Sequence, residues 1–196
     1  MKEFTSRNFN IPELKGISKV NIEEHLKLYQ GYVKSSNLIL SKIKELSANY
    51  EENSYQIAEL QRRFGFEFDG MRNHEYYFKS FEGGHNPISE GKLKEYIKKE
   101  WGDFDSWLKS FKNLAKTRGV GWAILYFDKE SDQLLNTWVD EQHLGHLTGL
   151  NPILALDMWE HSFVADYQPS GKAQYIEDFF ENLNWKVIED NFEKIN

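Results

Sequence analysis

The stretch Ile153-Leu154-Ala155-Leu156-Asp157-Met158-Trp159-Glu160-His161 decides how this chain is read. Its four leading apolar residues predict a short buried strand. At the strand's end stands a carboxylate, and four residues on comes an imidazole. Asp oxygen and His nitrogen both suit iron, manganese or zinc, so the pair can supply two ligands of one ion. A helix start with Asp157 near the cap and His161 merely packed would use the same residues. The rest of the chain bears on that choice.

Upstream, Trp122-Ala123-Ile124-Leu125-Tyr126-Phe127 predicts a buried strand, Asp128 to Asp132 a turn, and Leu134 to Val139 its hairpin partner. Ile153 to Leu156 is then the third strand. Two helical patterns precede this sheet, near Glu90 to Trp101 and from Phe104 to Ala115; two follow it, around Tyr175 to Leu183 and Val187 to Ile195. Gly83-Gly84 with Asn86-Pro87 is the strongest break in the chain and sets a domain boundary. Before it, Ile22 to about Ala48 and Ser54 to Phe81 carry apolar residues at helical spacing, separated by a polar turn from Asn49 to Asn53. Asn21 followed by Glu24 reads as a capping box for the first of these helices. Residues 1 to 20, with Pro12 and Gly16, read as an extended lead-in. The expected architecture is α+β: a long N-terminal helical hairpin (1–84), then a mixed metal-binding domain (85–196) with a small three-stranded antiparallel sheet flanked by helices.

Composition narrows the function. The 196 residues include six Trp, ten Tyr and fourteen Phe, a payload of burial that argues against disorder. Cysteine is absent, which excludes disulfides, thiolate metal sites and a Cys nucleophile, and favours a reducing compartment. There is no apolar leader and no window long enough to span a bilayer, so a soluble cytoplasmic protein is expected. A formal charge of −7 argues against nucleic acid as partner. An anionic substrate would need a local positive centre, such as a metal ion.

The chain has six histidines: His25, His74, His85, His143, His146 and His161. Three of them fall in expected elements on faces that are otherwise apolar. His25 shares a helix face with Tyr29 and Tyr32; His74 lies among Met71, Tyr77 and Phe78; His161 follows Asp157. Each such buried polar group needs a partner, and one metal ion satisfies three His and an Asp together. His85 and His146 read as loop or surface residues without a role.

At these residues the sequence resembles a known family. Asp157-Met158-Trp159-Glu160-His161 resembles the D-x-W-E-H signature of iron/manganese superoxide dismutases, and Asn73-His74-Glu75-Tyr76-Tyr77-Phe78 is similar to their second ligand region. Gly83-Gly84, the Gly119-Val120-Gly121-Trp122 turn and Asn184-Trp185 match family landmarks in order, so the resemblance covers nearly the whole chain. It implies one Fe or Mn ion per subunit, with ligands His25, His74, Asp157 and His161, and superoxide as substrate. It further implies Tyr32 as the phenol at the substrate channel and Trp122 and Trp159 as walls of the pocket. Glu160 would reach across a subunit interface to His161 of the partner, in a homodimer or higher homo-oligomer.

The family's outer glutamine can come from two places. Position 70, four before His74, is Gly here, so the iron-type source is missing. Gln142 suits the manganese-type placement, and His143 is the alternative donor. Other departures concern α-helical register and the interface. His25 and Tyr32 are seven residues apart where the family has eight, which fits if a helix bulge is straightened; without a gap Glu24 takes the ligand position. Tyr29 stands where the family has a His around the site, and Val164 where it has that His's tyrosine partner. Two other classes remain: another mononuclear non-haem iron oxidoreductase, since two His and a carboxylate form an oxygenase triad, and a non-catalytic protein that keeps the fold.

Overall fold

Residues 2–195 are described by a computed structural model of the chain. The first helix, α1 (Lys19–Leu46), begins where Ser18 turns extended (φ −71°, ψ 155°) and its side chain accepts the Asn21 N–H. The cap is thus Ser18 rather than Asn21. Asn21 is inside the helix, where its buried amide donates instead to the Ser162 carbonyl at 3.1 Å. The buried face runs Ile22, His25, Tyr29, Val33, Ser36, Ile39, a spacing of three and four that an unbroken α-helix presents on one side.

The expected turn at 49–53 is shorter in the fold. A single 3-10 turn (Ser47–Asn49) leads directly into α2 (Tyr50–Lys79), whose first turn holds Glu51 and Glu52 at its positive end. Polar residues that read as a loop are a helix start. α2 runs antiparallel to α1 and ends at Lys79; the turns that follow close on Gly83 and Gly84, both at positive φ (76° and 85°), which glycine adopts without a Cβ penalty. The extended N-terminal segment lies along this hairpin: Phe4 and Asn37 exchange two hydrogen bonds, and the Asn10 carbonyl accepts from Gly83 N–H.

Beyond the break come α3 (Lys92–Trp101), α4 (Phe104–Ala115), and then β1 (Gly121–Asp128), β2 (Gln133–Asp140) and β3 (Pro152–Asp157). The sheet is antiparallel with order β2-β1-β3. The central strand is buried at every position but its last, because helices cover the sheet; that is why its sequence is a continuous apolar run. Register sets Trp122 directly opposite Asp157, so the innermost residue of β1 faces the carboxylate at the end of β3. Helices α5 (Lys172–Asn182) and α6 (Trp185–Ile195) close the fold. Phe179 of α5 stacks on Tyr77 of α2 at 5.6 Å, while Trp185 packs on Phe104 and Trp107 of α4. One apolar core therefore runs from the helical hairpin into the sheet. It holds α1, α2 and β3 at fixed separation, and the candidate site lies where the three meet.

Candidate metal centre

Four side chains converge at that junction. His25 comes from α1, His74 from α2, Asp157 from the last residue of β3, and His161 from the short 3-10 turn Glu160–Ser162 just after it. The Asp157 Oδ2 atom lies 3.1 Å from His25 Nε2, 3.2 Å from His161 Nε2 and 3.6 Å from His74 Nε2. All four ligand atoms fall within 4.8 Å of one another. His25, His74 and Asp157 are fully buried, and the His161 side chain is 21% exposed. Glu24, the competitor for the first position, is exposed and pairs with Lys27.

The two Asp157 oxygens have separate tasks. Oδ1 accepts the Trp159 N–H at 2.8 Å, the local turn contact that an ordinary cap would make, and Oδ2 faces the imidazoles. Tyr175 Oη donates to the Asp157 carbonyl at 2.9 Å, fixing the backbone. His74 Nδ1 donates to the Gly70 carbonyl at 2.6 Å. That bond assigns the ring proton to Nδ1 and leaves the Nε2 lone pair aimed into the cluster with no hydrogen-bond partner among the described residues.

Protonation suits cation binding. Burial pushes the His74 imidazole down to about 3, helped by neighbouring His25, and burial also lowers His25 despite the pull of Asp157. Burial works to raise the Asp157 carboxyl, but His161 and His25 outweigh it and hold the group below the usual carboxylate range. Neutral His25 and His74 beside an ionised carboxylate leave a buried negative charge and inward-facing lone pairs. That arrangement is costly unless a cation occupies the centre. The donor set, three nitrogens and one oxygen, fits a first-row transition ion.

Aromatic rings enclose the cluster. Trp122 meets His74 edge-on at 5.1 Å, Trp159 stacks on His161 at 5.7 Å, and Phe78 and Tyr77 pack on His25 at 4.8 and 4.9 Å. Tyr32 packs on His74 at 5.1 Å and is half-buried, so it stands between the cluster and solvent. Burial, with a smaller contribution from Asp157, raises the Tyr32 phenol well above its ordinary value and keeps it protonated.

The family model described as "Iron/manganese superoxide dismutases, C-terminal domain" matches residues 89–191. The "Superoxide dismutase [Fe]" of Aquifex aeolicus is 34% identical over 187 residues, covering 92% of this chain and 86% of that protein. The chain belongs to the iron/manganese superoxide dismutase family. Further relatives carry either metal in their names: "Superoxide dismutase [Fe]" of Methanothermobacter thermautotrophicus, 31% identical over 178 residues (87% of this chain, 83% of that one), and "Superoxide dismutase [Mn] 2" of Haloferax volcanii, 36% identical over 160 residues (80% and 77%). Family membership does not favour an oxygenase or a retired fold. The third imidazole also takes a position that an oxygenase triad leaves open for substrate.

Between the two candidate donors of this dismutase-family chain, the fold brings Gln142 to the site. The Trp122 indole donates to Gln142 Oε1 at 2.9 Å, and Gln142 Nε2 donates to Tyr32 Oη at 3.0 Å. An indole N–H can only donate, so the amide orientation is fixed. His143 instead packs edge-on against Phe66 at 5.6 Å, outside this set of bonds. The glycine at 70 has a steric reason: a Cβ there would sit 2.7 Å from the Tyr32 ring. Tyr29 lies one ring further out, packed on Phe78, accepting from the Arg7 N–H and donating to Glu75. Glu160 and Val164 are exposed. His85 is exposed, as read, but His146 is half-buried and bonded to Tyr126 and to the Gln142 carbonyl; the sequence reading missed it. The available signal was Tyr126, a phenol inside an apolar strand that needed a partner.

Proposed function

We propose that the chain disproportionates superoxide using one iron or manganese ion held by His25, His74, Asp157 and His161. The observation that carries this reading is the convergence of three Nε2 atoms on one buried carboxylate oxygen inside an aromatic box. When bound, the ion supplies the one-electron shuttle, accepting an electron from one superoxide and passing it to a second, so that dioxygen and, with two protons, hydrogen peroxide leave.

The residues do the rest. Three neutral imidazoles and one carboxylate contribute a single negative charge, so a di- or trivalent centre stays net positive and draws the anion. Trp122, Trp159, Phe78 and Tyr77 exclude bulk water and fix the ring planes. Tyr32 Oη accepts the Gln142 amide proton, which leaves its own O–H free to donate toward the incoming anion or to solvent. Gln142, anchored by Trp122, keeps a second amide N–H for the reacting centre.

Coarser features follow the same reading. The division at 84/85 is proposed as the domain boundary, supported by the start of the matched C-terminal domain at 89. A homodimer is proposed, supported by Glu160, whose exposed carboxylate has no partner among the described residues and which adjoins the partly exposed His161. A cytoplasmic location is proposed on the absence of cysteine; no helix of the described residues is long and apolar enough to cross a membrane.

Elemental analysis and a direct superoxide-decay assay test the assignment. His161→Ala is expected to lose metal and activity together, and Gln142→Ala to keep metal while losing most activity. Full activity in both variants would contradict it.

A further inference from the structure

Gln142 lies in the irregular segment between β2 and β3, preceded by Glu141 in the left-handed region (φ 51°). A non-glycine residue in that conformation costs on the order of 1 kcal/mol and persists only where surrounding bonds over-determine it. Those bonds are present. Glu141 N–H donates to the Val120 carbonyl, and the Trp159 indole donates to the Glu141 carbonyl at 3.1 Å. The Gln142 carbonyl receives two more donors: Asn73 Nδ2 at 3.0 Å and His146 Nε2 at 3.1 Å.

The proton positions at His146 can be assigned from its partners. A carbonyl only accepts, so Nε2 carries a hydrogen. In the neutral ring Nδ1 is then an acceptor, and Tyr126 Oη, 2.5 Å away, must donate to it. Asn73 Nδ2 and His146 Nε2 lie 3.3 Å apart because both face the same carbonyl oxygen. The result is a directed chain: Tyr126 O–H to His146 Nδ1, then His146 Nε2–H to the Gln142 carbonyl. Strand β1 therefore grips Gln142 at both ends, through Trp122 at the side-chain amide and through Tyr126 and His146 at the backbone. Asn73 ties the same carbonyl to α2, one residue from His74.

We propose that His146, oriented by Tyr126, is a positioning residue for superoxide dismutation: it sets the depth at which the Gln142 amide reaches Tyr32 and the reacting centre. The proposal rests on the dismutase reading above. Misplacing such a group by about 1 Å can cost on the order of a hundredfold in rate.

The test uses the metal-loaded protein and three variants, with metal content, superoxide decay, thermal midpoint and the reduction midpoint potential measured on each. His146→Ala is expected to lose at least about tenfold in activity at unchanged metal content. Its potential should shift by roughly 59 mV, the one-electron equivalent of a tenfold change. His146→Gln, whose amide N–H has about the reach of Nε2, should restore activity to within about threefold and the potential to within roughly 30 mV. Tyr126→Phe, which keeps the imidazole but frees its tautomer, should fall between; it decides the question if His146→Ala fails to load or fold. A His146→Ala protein with only a lower thermal midpoint, its activity staying within twofold and its potential within roughly 20 mV, overturns the proposal. So does a His146→Gln protein as impaired as the alanine variant. Wild-type protein without bound metal or activity would instead sink the dismutase reading itself.

Discussion

Gly70→Ala should separate stability from activity. The added Cβ would sit 2.7 Å from Tyr32 Cδ1 and 2.8 Å from Cε1. Carbon atoms settle at about 3.5–4.0 Å, so the ring must withdraw by roughly 1 Å. Overpacking of this kind costs about 1–3 kcal/mol. Against it stands the gain of replacing glycine within a helix, about 1 kcal/mol. The net change in unfolding free energy is therefore small, between about 0 and 2 kcal/mol. Activity has no such compensation. The Gln142–Tyr32 bond is 3.0 Å long, and a displacement of the ring by about 1 Å spoils its length and angle. Rate should fall between about ten- and a hundredfold, by the usual cost of misplacing a reacting group. The measurement is superoxide decay by stopped flow, normalised to metal content, beside a urea titration of the same preparation. Normal turnover at normal metal occupancy would refute the claim that the position of Tyr32 matters.

Three further outcomes are expected. Ser18→Ala removes the side-chain cap of α1 and should lower stability by about 1 kcal/mol in denaturant titration without changing turnover per metal, since the cap lies two turns before His25. The metal-free protein should lose thermal stability as pH is lowered from about 6.5 toward 3. Unfolded histidine takes up its proton near 6.5 while His74 resists protonation down to about 3, so the unfolded chain binds more protons in that window and acid favours it. The depressed Asp157 carboxyl acts in the same direction at the acid end, and a melting temperature flat across the window would sink this account. Glu160→Ala should weaken subunit association in sedimentation velocity and lower metal retention; unchanged values in both would remove Glu160 from the proposed interface.

Much of the fold is legible in the sequence because burial imposes a period. Phe104, Trp107, Phe111 and Leu114 specify α4 through helical spacing, and Trp122 to Phe127 specify β1 through an unbroken apolar run. The candidate ligands are legible for a related reason: a polar residue on an apolar face needs a partner, and His25 and His74 both lie against the Asp157 carboxylate. Ends and loops are less legible. Ser18 and Asn21 are both competent caps three residues apart, and the choice turns on Asn21 finding the Ser162 carbonyl, 141 positions away. The start of α2 reads as a turn because Glu51, Glu52 and Asn53 are polar, yet acidic residues suit a helix's first turn. His146 carries no spacing signal because its partners, Tyr126 and the Gln142 carbonyl, join it from a strand and a loop.

The different surroundings of Gln142 and His143 show why neighbouring residues on an irregular segment resist sequence reading. No period assigns adjacent loop residues to different faces. Sterics and donor chemistry do. The Tyr32 ring occupies the space beside position 70, so glycine there lets α2 approach α1 closely, and no amide can be supplied from that point without displacing the ring. A donor for Tyr32 must then come from another element, and the Trp122 indole N–H also needs an acceptor. Gln142 answers both demands with one group, accepting from Trp122 and donating to Tyr32. An imidazole could accept at one nitrogen and donate from the other. Its ring places those atoms on fixed, divergent axes, however, whereas an amide carries both functions at the tip of a flexible side chain. Gly70, Tyr32, Trp122 and Gln142 therefore form one interdependent set, in which the small residue on the helix and the long one on the loop require each other.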